Sequence, residues 1–362
     1  MRKHFSEYFR PTVAETKSLW AEAVFIFDTN ILLNLYRMSR ETSLQMMEIL
    51  TKLKGRLFLP NQVGVEFFNH REEEIAKQVN AFERVKQSLN RIPEGFKKDF
   101  LRHPCIPITE ITEALKECVD KQIAIVNQSQ LDNQLNFLAH DDPILPELDS
   151  LFTDSGEEPY MGADDDTLNR KVEDRFQMNL PPCAVSTGEK VSSTSNPHRG
   201  DGRVWFQIVK HAEKTKKTII FITGDERKNW WRTAKLGNKE RIIGPHFMLI
   251  RDVESASEKR FLMYTQEQFL SEAPQYLDVP EQTKGIEEVT QIRESASTEK
   301  DVELTDEPKT SFFEESESLD KPHIGQESGL REKRRDLDDE PKASPLQESK
   351  IEQKSEFKEE VD

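Results

Sequence analysis

The chain has 362 residues, and 51 Lys and Arg against 67 Asp and Glu give it a formal net charge of −16. The excess acid lies at the end, because residues 271–362 hold 27 acidic and 13 basic side chains and the rest is close to neutral. Three cysteines are too few for a disulfide framework, and no signal peptide or run of roughly 18 apolar residues is present, so we expect a cytoplasmic protein with no membrane partner.

Residues 24–27 are a short, wholly apolar run that predicts a strand buried on both faces. Asp28 follows directly, and Thr29 or Asn30 can cap the helix that the spacing of the next apolar residues predicts. In open α/β sheets, ligands bind outside the carboxyl ends of the strands, where Asp28 would lie. A lone Asp would more simply cap the helix, so Asp28 gains weight only from the carboxylates that follow.

A second strand is predicted at residues 56–60, after a helix over residues 43–53. Strand, helix and strand in this order make a βαβ unit, which implies a parallel pair with a right-handed crossover. Glu66 falls in the first turns of the next helix, where the helix dipole stabilises a carboxylate and where a side chain can lean over the end of the sheet. Two long helices, over about residues 71–140, are predicted to form an inserted hairpin that projects from the sheet.

Residues 153–200 are predicted to be a loop-rich insertion. Asp201 then opens an amphipathic helix, and residues 218–222 form a second wholly apolar strand that Asp225 follows. The later strand candidates are PHFMLI at 245–250 and KRFLMYT at 259–265, with a closing helix after them. Glu, Ser, Lys and Asp dominate residues 275–362, and this composition predicts a disordered acidic tail.

Four carboxylates occupy matching positions in this predicted fold: Asp28, Glu66, Asp201 and Asp225. Each lies at the carboxyl end of a strand or in the first turns of the helix after a connection, and those points face one edge of a doubly wound sheet. Four converging carboxylates would repel one another. One or two Mg²⁺ or Mn²⁺ ions would relieve the repulsion, because hard cations take oxygen ligands. Such a site could activate water and hydrolyse a phosphodiester by a two-metal mechanism.

The motifs FDTNILLNLYR, LPNQVGVEFFNHR, GDGRVWFQIV and IIFITGDERKNWW, in this order, resemble the PIN-like nucleases, in the bacterial subgroup with a large helical insertion. The resemblance implies a three-layer α/β/α domain with a mainly parallel sheet over residues 1–274, and metal-dependent ribonuclease activity on RNA. It also implies a set of site residues. The catalytic and metal-binding carboxylates would be Asp28, Glu66, Asp201 and Asp225, supported by Asn30 and Thr223.

The chain departs from the family pattern at three positions. Gly224 and Asn229 stand where this subgroup often has acids, and Cys183 replaces the glycine of a PPGY-type loop. Two of these departures, Gly224 and Asn229, motivate a first alternative, a non-catalytic scaffold that binds RNA or protein and whose acidic tail recruits a partner. A second alternative is a structure-specific DNA nuclease that uses the same four carboxylates.

Basic residues near the predicted site are candidates for nucleic-acid binding: Arg71, Arg227, Lys228 and Arg232. The stretch 226–241 could hold phosphates and stack bases, although burial in the core is the stronger interpretation for its two tryptophans. Arg71 would either contact a phosphate or pair with a nearby acid. The acidic tail could restrain the nuclease by competing with nucleic acid for this basic rim.

Overall fold

The computed structural model describes residues 1, 5–101, 103–133, 142–185, 197–237 and 239–303. The strands are β1 (Val24–Phe27), β2 (Ile219–Thr223), β3 (Trp231–Leu236), β4 (Lys239–Pro245) and β5 (Phe261–Thr265). A short 3₁₀ helix (Ser6–Tyr8) precedes the α-helices, which are α1 (Val13–Glu22), α2 (Thr29–Arg37), α3 (Arg40–Lys52), α4 (Asn61–Phe100), α5 (Ile108–Asn133), α6 (Ile144–Phe152), α7 (Ala163–Gln177), α8 (Pro197–Thr215), α9 (Phe247–Ser257), α10 (Gln266–Leu277) and α11 (Thr283–Glu303).

The central sheet is parallel and has the strand order β1-β2-β5. Its register places Val24 opposite Ile219 and Ile219 opposite Phe261. Every residue of β1 and β2 is buried, as the two apolar runs predict for strands covered on both faces.

Helices cover both faces of this sheet. The ring of Phe269 on α10 contacts Phe25 and Phe27 of β1 on one face, with centroids 6.4 and 5.3 Å apart. Trp205 of α8 contacts Phe261 of β5 on the other face, with ring centroids 5.7 Å apart. Phe261 is in register with Val24, the residue before Phe25, so its side chain and that of Phe25 lie on opposite faces of the sheet. The predicted three-layer α/β/α fold is confirmed.

The predicted strand at residues 56–60 is not a full strand. Leu57 forms one isolated parallel bridge with Phe25, and Leu59 forms another with Gly156. The parallel direction agrees with the βαβ prediction. The segment bridges two different neighbours with two of its residues, so it does not form a ladder with either of them.

The strand predicted at residues 245–250 is wrong, because helix α9 begins at Phe247. His246 caps that helix, with its Nδ1 accepting a hydrogen bond from the backbone N–H of Met248 at 3.3 Å. A short apolar run does not distinguish a strand from a buried helix turn. The antiparallel hairpin of β3 and β4, which follows the β2 strand, was not predicted.

Helices α4 and α5 pack against each other and confirm the predicted helical hairpin. Lys86 Nζ on α4 donates to Gln130 Oε1 on α5 at 2.8 Å. Residues 134–140, which the prediction included, lie outside the described residues. Helix α4 is continuous over 40 residues, so Glu66 and the projecting hairpin belong to one helix.

The predicted insertion 153–200 contains α7, and its residues 186–196 lie outside the described residues. In the part of the chain that the structure describes, no helix combines the length and apolar character needed to cross a membrane.

The start of the predicted tail is corrected by α11. Val289 of this helix is buried in the main core, and Glu288 accepts hydrogen bonds from the backbone N–H and the hydroxyl of Ser39 at 2.8 and 2.6 Å. Residues 275–303 are therefore part of the folded domain, whereas the predicted boundary between domain and tail was residue 274. Residues 304–362 of the predicted tail lie outside the described residues.

His211 of α8 provides a test of this packing. Its ring stacks on Phe58 with centroids 3.7 Å apart, and among the described residues its Nε2 has no hydrogen-bond partner. Burial, together with Lys214 and Lys217, lowers the pKa of His211 from 6.5 to about 4. Because the folded state binds fewer protons than the unfolded state, this residue contributes stability above pH 6.5 that is lost as the pH falls toward 4.

We expect His211→Phe to weaken the pH dependence of the unfolding free energy between pH 6.5 and 4, by up to about 3 kcal/mol at the acid end. Denaturant titrations at each pH measure this. The same substitution at exposed His70 is the control. An unchanged pH dependence in His211→Phe would show that His211 is not held neutral in the folded protein.

Candidate active site

The carboxyl ends of β1 and β2 place two acidic residues at one edge of the sheet. Asp28 follows β1 and is the N-cap of α2, where its Oδ1 accepts a hydrogen bond from the backbone N–H of Thr29 at 2.8 Å. Asp225 follows β2, and its backbone N–H donates to Thr223 Oγ1 at 3.0 Å. The cap role of Asp28 uses one carboxylate oxygen and leaves the other for contacts across the sheet edge.

Asn30 and Thr223, the two predicted supporting residues, both bind that second oxygen of Asp28. Asn30 Nδ2 donates to Asp28 Oδ2 at 2.8 Å, and Thr223 Oγ1 donates to it at 2.6 Å. The backbone N–H of Gly224 donates to Asn30 Oδ1 at 2.7 Å, and a Cβ at position 224 would lie 3.0 Å from the same oxygen. A side chain at 224 would therefore crowd Asn30, which gives a physical reason for glycine here.

Glu66, in the second turn of α4, joins the same edge. Thr29 Oγ1 donates to Glu66 Oε2 at 2.9 Å, so Thr29 links Glu66 to Asp28. Gln62 Nε2 donates to Glu66 Oε1 at 2.8 Å, and Arg203 Nε donates to Gln62 Oε1 at 2.9 Å. Sequence reasoning missed Gln62, although its spacing of four residues from Glu66 on one helix was an available signal.

Asp201 lies in the second turn of α8, because this helix begins four residues earlier than predicted. Arg227 Nη2 donates to Asp201 Oδ2 at 2.8 Å, and Asn229 Nδ2 lies 3.4 Å from the same oxygen. Arg227 Nε also donates to the two oxygens of Asp225 at 3.0 and 2.8 Å. One guanidinium therefore bridges Asp201 and Asp225.

Two further polar residues adjoin Asp201 and were not predicted as part of the site. His198 is buried, and its Nδ1 lies 4.0 Å from Asp201 Oδ2. Asn229 is also buried and donates from Nδ2 to the carbonyl oxygen of Pro182 at 2.5 Å, which attaches the 181–185 loop to the site. The signal for His198 was its position one helical turn before Asp201.

The electrostatics of the site depend on burial and on the mutual charges of these four acids. Burial, together with the charges of Glu66 and Asp225, raises the pKa of Asp28 to about 6, against the opposing effect of the Thr223 hydrogen bond. Burial also raises the pKa of Asp201 well above its usual value, against the charge of the bridging arginine and together with the charges of the other three acids. Four carboxylates share one guanidinium, so the cluster carries more negative than positive charge.

The donor set fits a hard divalent cation. All four side chains offer oxygen ligands, which Mg²⁺ and Mn²⁺ prefer, and a cation would relieve the repulsion that raises the pKa of Asp28. In their present positions, no three Asp, Glu, His or Cys side chains of the described residues are arranged to hold one ion. Arg227 instead neutralises two of the four carboxylates.

Of the two roles considered for Arg71, the structure shows the ion pair. Arg71 Nη2 pairs with Asp142, and its Nε donates to Tyr36 Oη at 3.0 Å. Only 14% of the Arg71 side chain is exposed, so it fastens α4 to the 142 segment and is not placed to contact a phosphate.

The other predicted nucleic-acid contacts also have partners. The Arg232 guanidinium lies 3.6 Å from the centroid of the Phe247 ring, and Lys228 Nζ lies 2.9 Å from Glu240 on the exposed surface of the β3–β4 hairpin. Trp230 and Trp231 are buried, as the core interpretation predicted. Arg227 is therefore the one member of this predicted set whose described contacts lie within the carboxylate cluster.

The fold and the site together define a three-layer α/β/α domain with an acidic cluster at the carboxyl edge of its parallel sheet. Residues 24–246 match the family model described as PIN like domain, and the chain belongs to this family. PIN-like domains are generally nucleases and typically use divalent metal ions. No curated protein and no solved structure matches the chain.

Proposed function

We propose that this protein is a divalent-metal-dependent endoribonuclease that hydrolyses RNA phosphodiester bonds. The observation that supports this most is the position of Asp28, Glu66, Asp201 and Asp225 at the carboxyl edge of the sheet, where burial and the neighbouring acids raise the pKa of Asp28 and of Asp201. Such a cluster costs stability in the absence of a cation, and its position is where open α/β sheets bind ligands. A purely structural role for it would be hard to reconcile with that cost.

The four acids have distinct roles in this proposal. Asp28 and Asp225 would bind the principal Mg²⁺ or Mn²⁺ ion, while Glu66 and Asp201 would complete its surroundings or orient the attacking water. When bound, the ion would lower the pKa of a water molecule and neutralise charge on the phosphodiester. The hydrogen bonds from Asn30 and Thr223 hold Asp28 in one orientation, so its ligand oxygen is pre-positioned.

A cleavage assay on the full chain tests this proposal. Single-stranded RNA, duplex RNA and flapped DNA are incubated with Mn²⁺, Mg²⁺ or Ca²⁺, with a chelator as control. We expect Mn²⁺- or Mg²⁺-dependent internal cleavage of RNA that the chelator stops. Cleavage of flapped DNA alone would instead identify a DNA nuclease on the same site.

A non-catalytic scaffold is the second candidate function. The observation that favours it is Arg227, which already neutralises Asp201 and Asp225. If the protein binds RNA but neither cleaves any of these substrates nor binds Mn²⁺, the scaffold is the correct function.

Gly200→Ala tests the placement of Glu66. A Cβ at position 200 would lie 2.8 Å from Glu66 Oε1, the oxygen that accepts the hydrogen bond from Gln62. Because that oxygen ends a flexible side chain, we expect Glu66 to move while the fold persists. RNA cleavage should fall about a hundredfold, as expected for a misplaced active-site group, with little change in Tm.

Gly64→Ala on α4 is the matched control, since a Cβ there would meet Leu59 at an ordinary 3.7 Å. It should keep full activity and gain up to about 1 kcal/mol of stability from helix propensity. Equal activity in the Gly200→Ala and Gly64→Ala variants would show that Glu66 is not an active-site residue.

A further inference from the structure

Arg227 is held by the acidic cluster at several points. Its Nη2 donates to Asp201 at 2.8 Å, its Nε donates to both oxygens of Asp225, and its own backbone N–H donates to Asp225 Oδ1 at 2.9 Å. Asp225 is fixed in turn, because its carbonyl oxygen accepts the indole N–H of buried Trp231 at 2.5 Å. The guanidinium is thus a built part of the cluster and not a mobile surface side chain.

The other half of the cluster has no such cation. Within the described residues, Asp28 and Glu66 form no ion pair, and their hydrogen-bond donors are neutral. The positive charge of Arg227 is therefore concentrated at the Asp201–Asp225 end. The negative charge that no described cation neutralises lies at the Asp28–Glu66 end.

We propose that Arg227 takes the place of a second divalent ion, so that the site binds one ion, at the Asp28–Glu66 end. This inference rests on the proposed function and narrows the two-metal mechanism that the sequence predicts. A planar guanidinium is suited to bridge two carboxylates, as a second metal ion would. Asp225 would be shared between the ion and Arg227, and Asp201 would be a partner of Arg227 and not a metal ligand.

The same guanidinium can contact the substrate. About a third of the Arg227 side chain is exposed, and its Nη1 makes no hydrogen bond within the part of the chain that is described. That N–H group is available for a non-bridging oxygen of the phosphodiester being cleaved. Arg227 would then stabilise negative charge on the phosphate, in addition to the charge stabilisation that an ion held by Asp28 and Glu66 would supply when bound.

Mn²⁺ binding to the full chain tests the inference without relying on cleavage. Titration followed by electron paramagnetic resonance should give one Mn²⁺ per wild-type chain. Arg227→Met, which removes the charge, should admit a second, weaker ion, whereas Arg227→Lys should still bind one. Arg232→Met is the matched control and should bind one, because Arg232 contacts an aromatic ring and the carbonyl of Pro245.

Two further variants keep the test decisive if Arg227→Met does not fold. Asp201→Asn should change the Mn²⁺ Kd less than about threefold, whereas Glu66→Gln should weaken it more than about tenfold. Two ions on the wild-type chain, one ion on folded Arg227→Met, or a large loss in Asp201→Asn would overturn this inference and leave the nuclease intact. No Mn²⁺ binding to the wild-type chain would overturn the nuclease as well.

Discussion

Asp28→Asn is expected to reduce the rate of Mn²⁺-dependent RNA cleavage by at least about a hundredfold, in a protein that remains folded. The substitution keeps the shape of the side chain and its cap on Thr29, but it removes the charge that would hold the ion. In the absence of metal, the variant should lose the pH-dependent cost of ionising Asp28, while its new amide N–H₂ would face the Asn30 and Thr223 donors that bind Oδ2 in wild type. Burial raises the pKa of Asp28 from 3.8 to about 6, so keeping it ionised at pH 7 costs up to about 3 kcal/mol.

The pH dependence of this cost can be tested. A folded-state pKa above the unfolded value means that wild type loses stability relative to Asp28→Asn as the pH rises from about 4 to beyond 6. Chemical denaturation of both proteins with chelator, at pH 4 and pH 7, measures the difference. Asp120→Asn, an exposed acid on α5, is the control for activity and stability. Wild-type activity in Asp28→Asn would refute the site assignment.

Ending the chain at residue 282, which removes α11, is expected to lower the unfolding free energy by about 3–6 kcal/mol. The physical reason is the apolar face of α11, where Val289 is buried and Ile286 and Ile292 pack against the core. Cleavage should also fall, because Arg293 of α11 pairs with Glu226, the neighbour of Asp225, at 2.5 Å. Ending the chain at residue 303 should keep the unfolding free energy of the full-length protein and at least its activity.

The truncation at residue 303 also tests the role of the acidic tail. If residues 304–362 compete with RNA for basic groups, the chain that ends at 303 should cleave RNA faster than full-length protein at low salt, and the difference should vanish at high salt. Initial rates at two ionic strengths measure this effect. Equal rates for the two chains at low salt would exclude competition by the tail. Equal stability of the 282 and 303 truncations would exclude a structural role for α11.

The sequence predicts the central features of this fold because they depend on local pattern. Two wholly apolar runs predict buried strands, and the residue after each run falls at the carboxyl edge of the sheet. Asn30 and Thr223, which the family resemblance implies as supporting residues, both donate hydrogen bonds to Asp28. The composition of residues 275–362 predicted disorder, so α11 was missed. Three apolar residues at helical spacing, Ile286, Val289 and Ile292, lie among its many charged residues and pack on the core.

Contacts between distant segments were beyond the sequence. Arg227 was predicted to bind nucleic acid, but its pairing with Asp201 depends on how α8 meets the loop after β2. The burial of His198 beside Asp201 depends on α8 beginning at Pro197, four residues before the predicted start. The pairing of Arg71 with Asp142 joins segments about seventy residues apart. The sequence alone could not decide whether Arg71 contacts a phosphate or pairs with an acid, because that choice depends on where Asp142 lies in the fold.

The uninterrupted course of α4 has a mechanical consequence. At 1.5 Å per residue, the stretch from Glu66 to Pro93 spans about 40 Å, and both ends belong to one rigid rod. A molecule gripped near Pro93 would be held at a set reach from the acidic edge. If RNA also contacted the helix near Pro93, the constant length of α4 would set the distance between that contact and the cleaved bond.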